Sequence, residues 1–177
     1  MGIWRIRPFD QDPPTPVSTA AQADGEVRRE AGRVAARMAV KGKFLCAGDE
    51  RFLVKGVTYG TFAPDAQGWQ FPSLKQVRED FRLMASLGIN TVRTYTPPRR
   101  DLLDEAERLG LRVMVGLPWS QHVAFLDDAR LRRAIRREII TNVAELGDHP
   151  SVLAFALGNE IPPGVVRWHG RVRVERF

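Results

Sequence analysis

A chain of 177 residues, 44% of them hydrophobic and 27% charged, is typical of one ordinary globular domain rather than a disordered protein. No apolar run approaches the roughly 18 residues that a transmembrane helix needs. The first residues lack the apolar core of a secretory signal peptide, so the cytoplasm is the default expectation. The single cysteine, Cys46, excludes an internal disulfide and a multi-thiolate metal site.

The net charge of +6 raises the question of a nucleic-acid partner. The densest arginine runs lie between residues 132 and 137 and between residues 171 and 176, on stretches that indicate amphipathic helix. A solvated helix face explains such runs better than a phosphate-binding stripe, and no zinc-finger or aromatic RNA-binding motif accompanies them. A basic nucleic-acid-binding domain is therefore a weak hypothesis, weaker than the two described below, and no nucleic-acid partner is expected.

Residues 1–37 are predicted to form a flexible leader, rich in Pro, Ala, Gln and Asp, with a possible short helix from Glu26 to Met38. The rest of the chain, residues 38–177, is predicted to form the folded domain. It opens with two short apolar runs around Gly48-Asp49, which indicate a β-hairpin from Phe44 to about Val54.

Strand and helix patterns then alternate. Predicted strands cover residues 55–60, 89–95, 111–117 and 152–157, and helical apolar stripes lie between them over residues 74–87, 102–109 and 131–146. Ser73 and Gln76 form a capping-box pattern at the first helix, and glycines follow all three helices. Crossovers of this length require parallel strands, so the fold class is α/β.

Two parallel architectures compete, an open doubly wound sheet and a (β/α)8 TIM barrel. The loop over residues 59–64 lacks the glycine-rich phosphate fingerprint of many doubly wound folds. Polar and aromatic residues instead follow the strands, as at the active face of a barrel. We therefore expect a TIM barrel. About four β/α units fit into the chain after the hairpin, whereas a full barrel uses roughly 250 residues, so the N-terminal half of a barrel is predicted.

The segment 149–160, HPSVLAFALGNE, resembles the fourth strand of clan A retaining glycoside hydrolases, a group that includes families 2, 5, 17 and 72. The stretch NTVRTYTPP at residues 90–98 and the stretch GLRVMV at residues 110–115 resemble their second and third strands. From residue 55 onward the chain is most similar to a glycosidase-like domain that precedes a family 2 glycosyltransferase domain in some bacterial multidomain proteins. The resemblance covers roughly residues 44–177.

The resemblance implies roles for three residues. Glu160 would be the acid/base, a carboxyl that is protonated when it meets the leaving oxygen and ionised when it activates water. Asn159 would hydrogen-bond a sugar 2-hydroxyl, and Arg93 would lie beside the nucleophile. Each residue also has a structural alternative: Glu160 as a solvated loop residue, Asn159 as a helix cap, and Arg93 in a structural salt bridge.

Four aromatic residues lie at predicted strand ends or just beyond, where sugar rings could stack on them; they are Tyr59, Tyr95, Trp119 and Trp168. Filling the core is an almost equally good explanation for any one of them. His122 could contact a sugar hydroxyl, although a lone loop histidine is more often a bystander. No metal ligands and no cofactor are expected.

A retaining glycosidase needs a second carboxylate, the nucleophile, about 5 to 5.5 Å from the acid/base. In the similar enzymes it follows the seventh strand, which this chain lacks, and Glu175 is too close to Glu160 in sequence to serve. The first hypothesis is therefore a fragment of a retaining β-glycosidase for β-glucan-type polysaccharide, inactive alone and completed by a missing half-barrel and a glycosyltransferase domain. The second is a non-catalytic carbohydrate-binding or assembly half-barrel that pairs with itself or another chain.

Overall fold

The computed structural model describes residues 36–119 and 122–177. The predicted leader, apart from its last two residues, lies outside the described residues. Within them, two sheets form, one antiparallel and one parallel. None of the helices in these two ranges combines the length and the hydropathy that a membrane span requires.

The antiparallel sheet contains β1 (Met38–Lys41), β2 (Phe44–Ala47) and β3 (Glu50–Arg51), paired in that order. The predicted hairpin is present as β2 and β3, with Gly48 at φ +62 in its turn. The helix predicted to end at Met38 is wrong at that residue, because Met38 starts β1. Pairing of β1 with β2, in register from Met38 opposite Ala47, outweighs the local helical spacing.

The parallel sheet contains β4 (Gly56–Thr58), β5 (Thr91–Thr94), β6 (Arg112–Leu117) and β7 (Val152–Leu157). Its strand order is β4-β5-β6-β7, and all three pairings are parallel. A doubly wound sheet would place its first strand internally, whereas β4 lies at the edge. The prediction of four consecutive barrel strands, half of an eight-stranded TIM barrel, is confirmed.

Each parallel strand is followed by helix. The helices are α1 (Leu74–Ser86), α2 (Arg100–Arg108), α3 (Ala129–Leu146), α4 (Pro163–His169) and α5 (Arg171–Glu175). Half of the predicted capping box is present: the Ser73 hydroxyl accepts a bond from the Gln76 N–H, but the Gln76 side chain donates to Asp80 instead. Helix α3 starts two residues before the predicted Leu131, because the Asp128 carboxylate caps its first N–H groups.

The main core lies between the parallel sheet and α1 and α2. Its fully buried members include Val77 and Phe81 from α1 and Leu103 from α2, packed with Val92 and Val113 of the sheet. Burial of these side chains, at about 1.5 to 3 kcal/mol each, fixes the helices on one face of the sheet. Alternate strand residues point toward that face, as the period of two requires.

The antiparallel sheet lies at the end of the parallel sheet where the strands begin. Arg112, the first residue of β6, donates from its guanidinium to the carbonyl oxygens of Ala36 and Pro150. Asn90, just before β5, accepts from the Lys55 N–H over 2.8 Å and donates to the Leu53 carbonyl. Because these contacts place the hairpin where the parallel strands begin, the opposite end of the sheet, where the strands end, is left uncovered by it.

Candidate functional site

The site is built where β5 and β7 end. Arg93 of β5 is half-buried, and its Nη2 donates to Oδ1 of Asn159, which follows β7, over 2.8 Å. Its partner is thus an amide and not a carboxylate. The guanidinium carbon lies 5.5 Å from the centre of the Tyr95 ring. The buried Nε of Arg93 has no hydrogen-bond partner among the described residues.

Glu160 follows Asn159 directly and is exposed. Its backbone has φ +53, in the left-handed region that non-glycine residues avoid, and Gly158 two residues earlier has φ +70. Such a conformation costs on the order of 1 to 3 kcal/mol and occurs preferentially at functional sites. The turn that ends β7 therefore presents a carboxyl to solvent beside the Arg93–Asn159 pair.

Trp119 belongs to the same region. A Cβ on Gly158 would lie 2.9 Å from Cη2 of the Trp119 ring, so the indole covers the backbone of the β7 turn. Phe125 and Phe177 contact the same ring edge-on, at centroid distances of 5.8 and 6.3 Å. Trp119 remains partly exposed. Among the aromatic residues considered, the rings of Trp119 and Tyr95 contact residues at the ends of β5 and β7.

Tyr59 follows β4 at the same end of the sheet, where its backbone N–H donates to the Arg93 carbonyl over 2.8 Å, but its ring lies in the core. Only 5% of the residue is exposed, and its ring packs edge-on against Phe62 and Phe81. Its hydroxyl donates to Oδ2 of Asp80 over 2.6 Å, and burial, followed by this bond, raises the pKa of the phenol. Tyr59 is therefore a core residue with no free ring face to offer a sugar, which corrects its expected place as a subsite wall.

Two other predicted residues lie at the surface. Trp168 of α4 is 73% exposed, and its indole N–H donates to Oδ2 of Asp127 over 2.6 Å. This bond is the main reason that the pKa of Asp127 lies below its ordinary value. His122 is exposed in the segment between β6 and α3. Within the described ranges, no hydrogen bond or ring contact joins Trp168 or His122 to the residues at the ends of β5 and β7.

Sequence reasoning missed two glycines that shape the site. Gly158 leaves room for Trp119, and Gly116 near the end of β6 lets β5 approach, since a Cβ there would overlap the Thr94 carbonyl oxygen. The position of Gly158 directly before Asn159 and Glu160 could have indicated its role from the sequence. Glycine inside a strand often marks such a close backbone approach.

One group of potential metal ligands lies at the opposite end of the sheet. Ligand atoms of Asp104, Glu107 and His149 lie within 4.8 Å of one another. Both nitrogens of the buried His149 ring already have partners: Nε2 contacts Asp104 over 3.0 Å, and Nδ1 accepts from the Ser151 N–H over 3.2 Å. These bonds tie α2 to the start of β7, which is a structural role. His149 follows α3, as predicted.

A family signature covers the chain from β1 through α4. Residues 38–170 match the TIM barrel domain of the glycosyl hydrolases family 2. The chain belongs to this family. No match was found among curated protein sequences.

Solved structures share the fold of this family 2 domain. Saccharomyces cerevisiae Gas2p in complex with laminaripentaose is 16% identical, with a TM-score of 0.53, over 69% of this chain and 30% of that one. The β-glucuronidase of Parabacteroides merdae is 21% identical, with a TM-score of 0.53, over 70% of this chain and 15% of that one. At these identities the likeness establishes the fold. The chain spans about a third or less of each structure.

Proposed function

We propose that this chain supplies the acid/base half of a retaining β-glycosidase active site, with Glu160 as the acid/base. The observation that carries the proposal is the hydrogen bond between Arg93 and Asn159, which joins the ends of β5 and β7 directly beside Glu160. These three polar residues all lie at the carboxyl ends of parallel strands, where TIM barrels hold their catalytic groups. Membership of a glycosyl hydrolase family supports the same reaction class.

In the proposed reaction, the Glu160 carboxyl protonates the glycosidic oxygen as the leaving group departs and then accepts a proton from the attacking water. Its exposed position in the β7 turn leaves it accessible to a substrate. The bond from Arg93 fixes the orientation of the Asn159 amide, which would bond the sugar 2-hydroxyl. The buried Nε of Arg93 is a donor that a nucleophile carboxylate from the remaining barrel strands would satisfy.

The proposed substrate is a β-glucan-type polysaccharide. Trp119, held beside the β7 turn by Gly158, offers a partly exposed ring for a sugar face. A neighbour of the same fold, Gas2p, has been solved with laminaripentaose bound. The similarity of the sequence to domains that precede a glycosyltransferase extends the proposal to a larger protein in which both activities are joined.

The proposal is tested by titrating the 177-residue chain with laminaripentaose and following heat and tryptophan fluorescence. We expect saturable binding that Asn159→Ala and Trp119→Ala each weaken by about tenfold, the effect of losing one good contact. Glu160→Gln should retain binding, since its amide keeps the shape of the carboxyl. Glu175→Gln is the matched control, because Glu175 pairs with Arg171 on α5.

If Glu175→Gln and Asn159→Ala reduced the affinity for laminaripentaose equally, the assignment of the site would be contradicted. Binding that is unchanged by both Asn159→Ala and Trp119→Ala would place the sugar elsewhere on the chain. Either result would leave the family membership intact and remove the proposed roles.

One observation favours the alternative of a non-catalytic assembly half-barrel. All three residues of β4 are exposed, and Leu157 at the end of β7 is 57% exposed. Both strands lie at sheet edges with one paired neighbour each. A second chain or domain that added strands there would bury these groups.

A further inference from the structure

A cavity of about 720 Å³ opens between the first turns of α3 and the helix α5. Six arginines line it, three from each side; they are Arg132, Arg133, Arg136, Arg171, Arg173 and Arg176. The cavity lining contains neither the Arg93–Asn159 pair nor Glu160. The two arginine runs that are separate in sequence thus converge on one concave surface, distinct from the strand-end site.

Carboxylates neutralise only part of this charge. Arg171 pairs with Glu175 over 2.6 Å, and Arg173 lies 3.4 Å from Asp127. Among the described residues, the other four arginines of the cavity have no carboxylate within 4.0 Å. Arg132 instead donates to the Leu126 carbonyl over 3.0 Å, which fixes its guanidinium at the cavity wall. The cavity therefore holds an excess of positive charge.

The remaining lining is mostly apolar. Leu126, Val172 and Phe177 contribute apolar surface, and the Arg136 guanidinium lies 5.6 Å from the centre of the Phe177 ring. His169 lines the cavity with a buried side chain whose Nε2 accepts from the Leu126 N–H over 3.4 Å and whose second ring nitrogen is Nδ1. That Nδ1 has no hydrogen-bond partner in the described ranges, and its nearest carboxylate oxygen, on Asp127, is 3.6 Å away.

We propose that this cavity binds a small molecule that carries a diphosphate group. Guanidinium groups match phosphate oxygens in pairs, and several converging arginines favour more than one phosphate. The volume lies within the range of small-ligand pockets, and the apolar wall would accommodate an organic group. Convergence from two helices onto a concave surface favours a compact anion over a polymer, which would follow a stripe along one face.

The test measures calorimetric binding of inorganic pyrophosphate and of ADP to the 177-residue chain at 50 and 300 mM NaCl. We expect saturable binding of pyrophosphate that weakens at the higher salt concentration. The double variant Arg133→Gln/Arg176→Gln should weaken it by about tenfold or more, because each lost guanidinium removes a charge-assisted bond. Tighter binding of ADP than of pyrophosphate would support an organic diphosphate as the ligand, because the nucleoside would add contacts with the apolar wall.

The matched control is Arg82→Gln/Arg137→Gln, which removes the same charge from exposed positions on α1 and α3 outside the cavity. Circular dichroism and thermal unfolding verify that both double variants fold. Equal loss of binding in the two double variants would show a general charge effect and overturn the proposal. Absence of pyrophosphate binding at millimolar concentration in 50 mM NaCl, or binding of a single-stranded oligonucleotide that pyrophosphate does not displace, would overturn it as well.

Discussion

Nη2 of Arg93 and Oδ1 of Asn159 lie 2.8 Å apart although 66 positions separate the two residues in the chain. The bond connects β5 with the end of β7 across the intervening strand β6. Parallel neighbours lie about 4.8 Å apart, so the long arginine side chain spans roughly two strand spacings. Gly116 of β6 lies between the two strands, and the absence of a side chain there lets the end of β5 approach β6 closely.

Replacing Arg93 by methionine is expected to change the free energy of unfolding by less than about 1 kcal/mol. The lost bond to Asn159 is offset because a partly buried guanidinium no longer has to be desolvated. Laminaripentaose affinity should nevertheless fall by about tenfold. Urea denaturation and calorimetry measure the two effects.

Arg112→Met is the control for this variant. Arg112 is 4% exposed and donates to the carbonyls of Ala36 and Pro150. Its loss removes two hydrogen bonds made by a buried charged group, so we expect a destabilisation of roughly 1 to 3 kcal/mol. If Arg93→Met were as destabilising as Arg112→Met, Arg93 would be a structural residue.

Gly158→Ala is expected to destabilise the domain by about 1 to 3 kcal/mol and to shift tryptophan fluorescence. The new Cβ would meet the Trp119 ring at 2.9 Å, and the φ of +70 is unfavourable for alanine. Gly164→Ala in α4 is the control, since a Cβ there meets no atom within 4 Å. Alanine in a helix should be neutral or stabilising by up to about 1 kcal/mol. Equal thermal shifts in both variants would contradict the packing of Trp119 on the β7 turn.

Glu105 should make stability depend on pH on the acid side. Its carboxylate accepts from Arg78 over 2.6 Å and from Arg108 over 2.9 Å, and these bonds, led by that from Arg78, lower its pKa below 4.5. A lowered pKa in the folded state means that the stabilisation is present above pH 4.5 and is lost as the pH falls through the folded-state pKa.

Glu105→Gln should therefore cost roughly 1 to 3 kcal/mol at pH 7 and progressively less at lower pH. Urea denaturation from pH 3 to pH 7 measures the difference from the wild type. Glu79→Gln, on the exposed face of α1, is the control and should run parallel to the wild type. If the difference in stability between Glu105→Gln and the wild type did not become smaller toward pH 3, the role of the ion pairs would be contradicted.

The edge strands should promote self-association. Leu157 is 57% exposed on β7, which has one paired neighbour. Unpaired strand edges with apolar residues associate, so we expect concentration-dependent sedimentation that Leu157→Lys reduces. Ile140→Lys is the control, because Ile140 is 67% exposed on α3, away from the strand edges. A monomer at all concentrations would contradict this prediction.

The 177-residue chain alone should not hydrolyse an aryl β-glucoside. The retaining mechanism needs a nucleophile about 5 to 5.5 Å from the acid/base, and Glu175 is engaged with Arg171 on α5. A chromogenic assay measures turnover. If the chain did hydrolyse the substrate, and if Glu160→Gln abolished this activity while Glu175→Gln did not, a second carboxylate would have to come from elsewhere in the chain or from another copy.

The strands and helices followed from local pattern. Gly88, Gly110 and Gly147 correctly marked the ends of α1, α2 and α3, because helix ends depend on residues within one turn. Met38 was misassigned, since its strand depends on pairing with Ala47 across a turn. Strand order followed from the right-handed crossover rule and needed no knowledge of individual contacts.

The sequence by itself determined the α/β alternation, the barrel order and the placement of Arg93, Asn159 and Glu160 at one end of the sheet, because parallel strands bring their carboxyl ends together. Only the tertiary structure decided that Tyr59 is buried while Trp119 covers the β7 turn. It also decided that two arginine runs face one cavity. These outcomes depend on how helices pack over the sheet, and such packing brings together side chains that no local period relates.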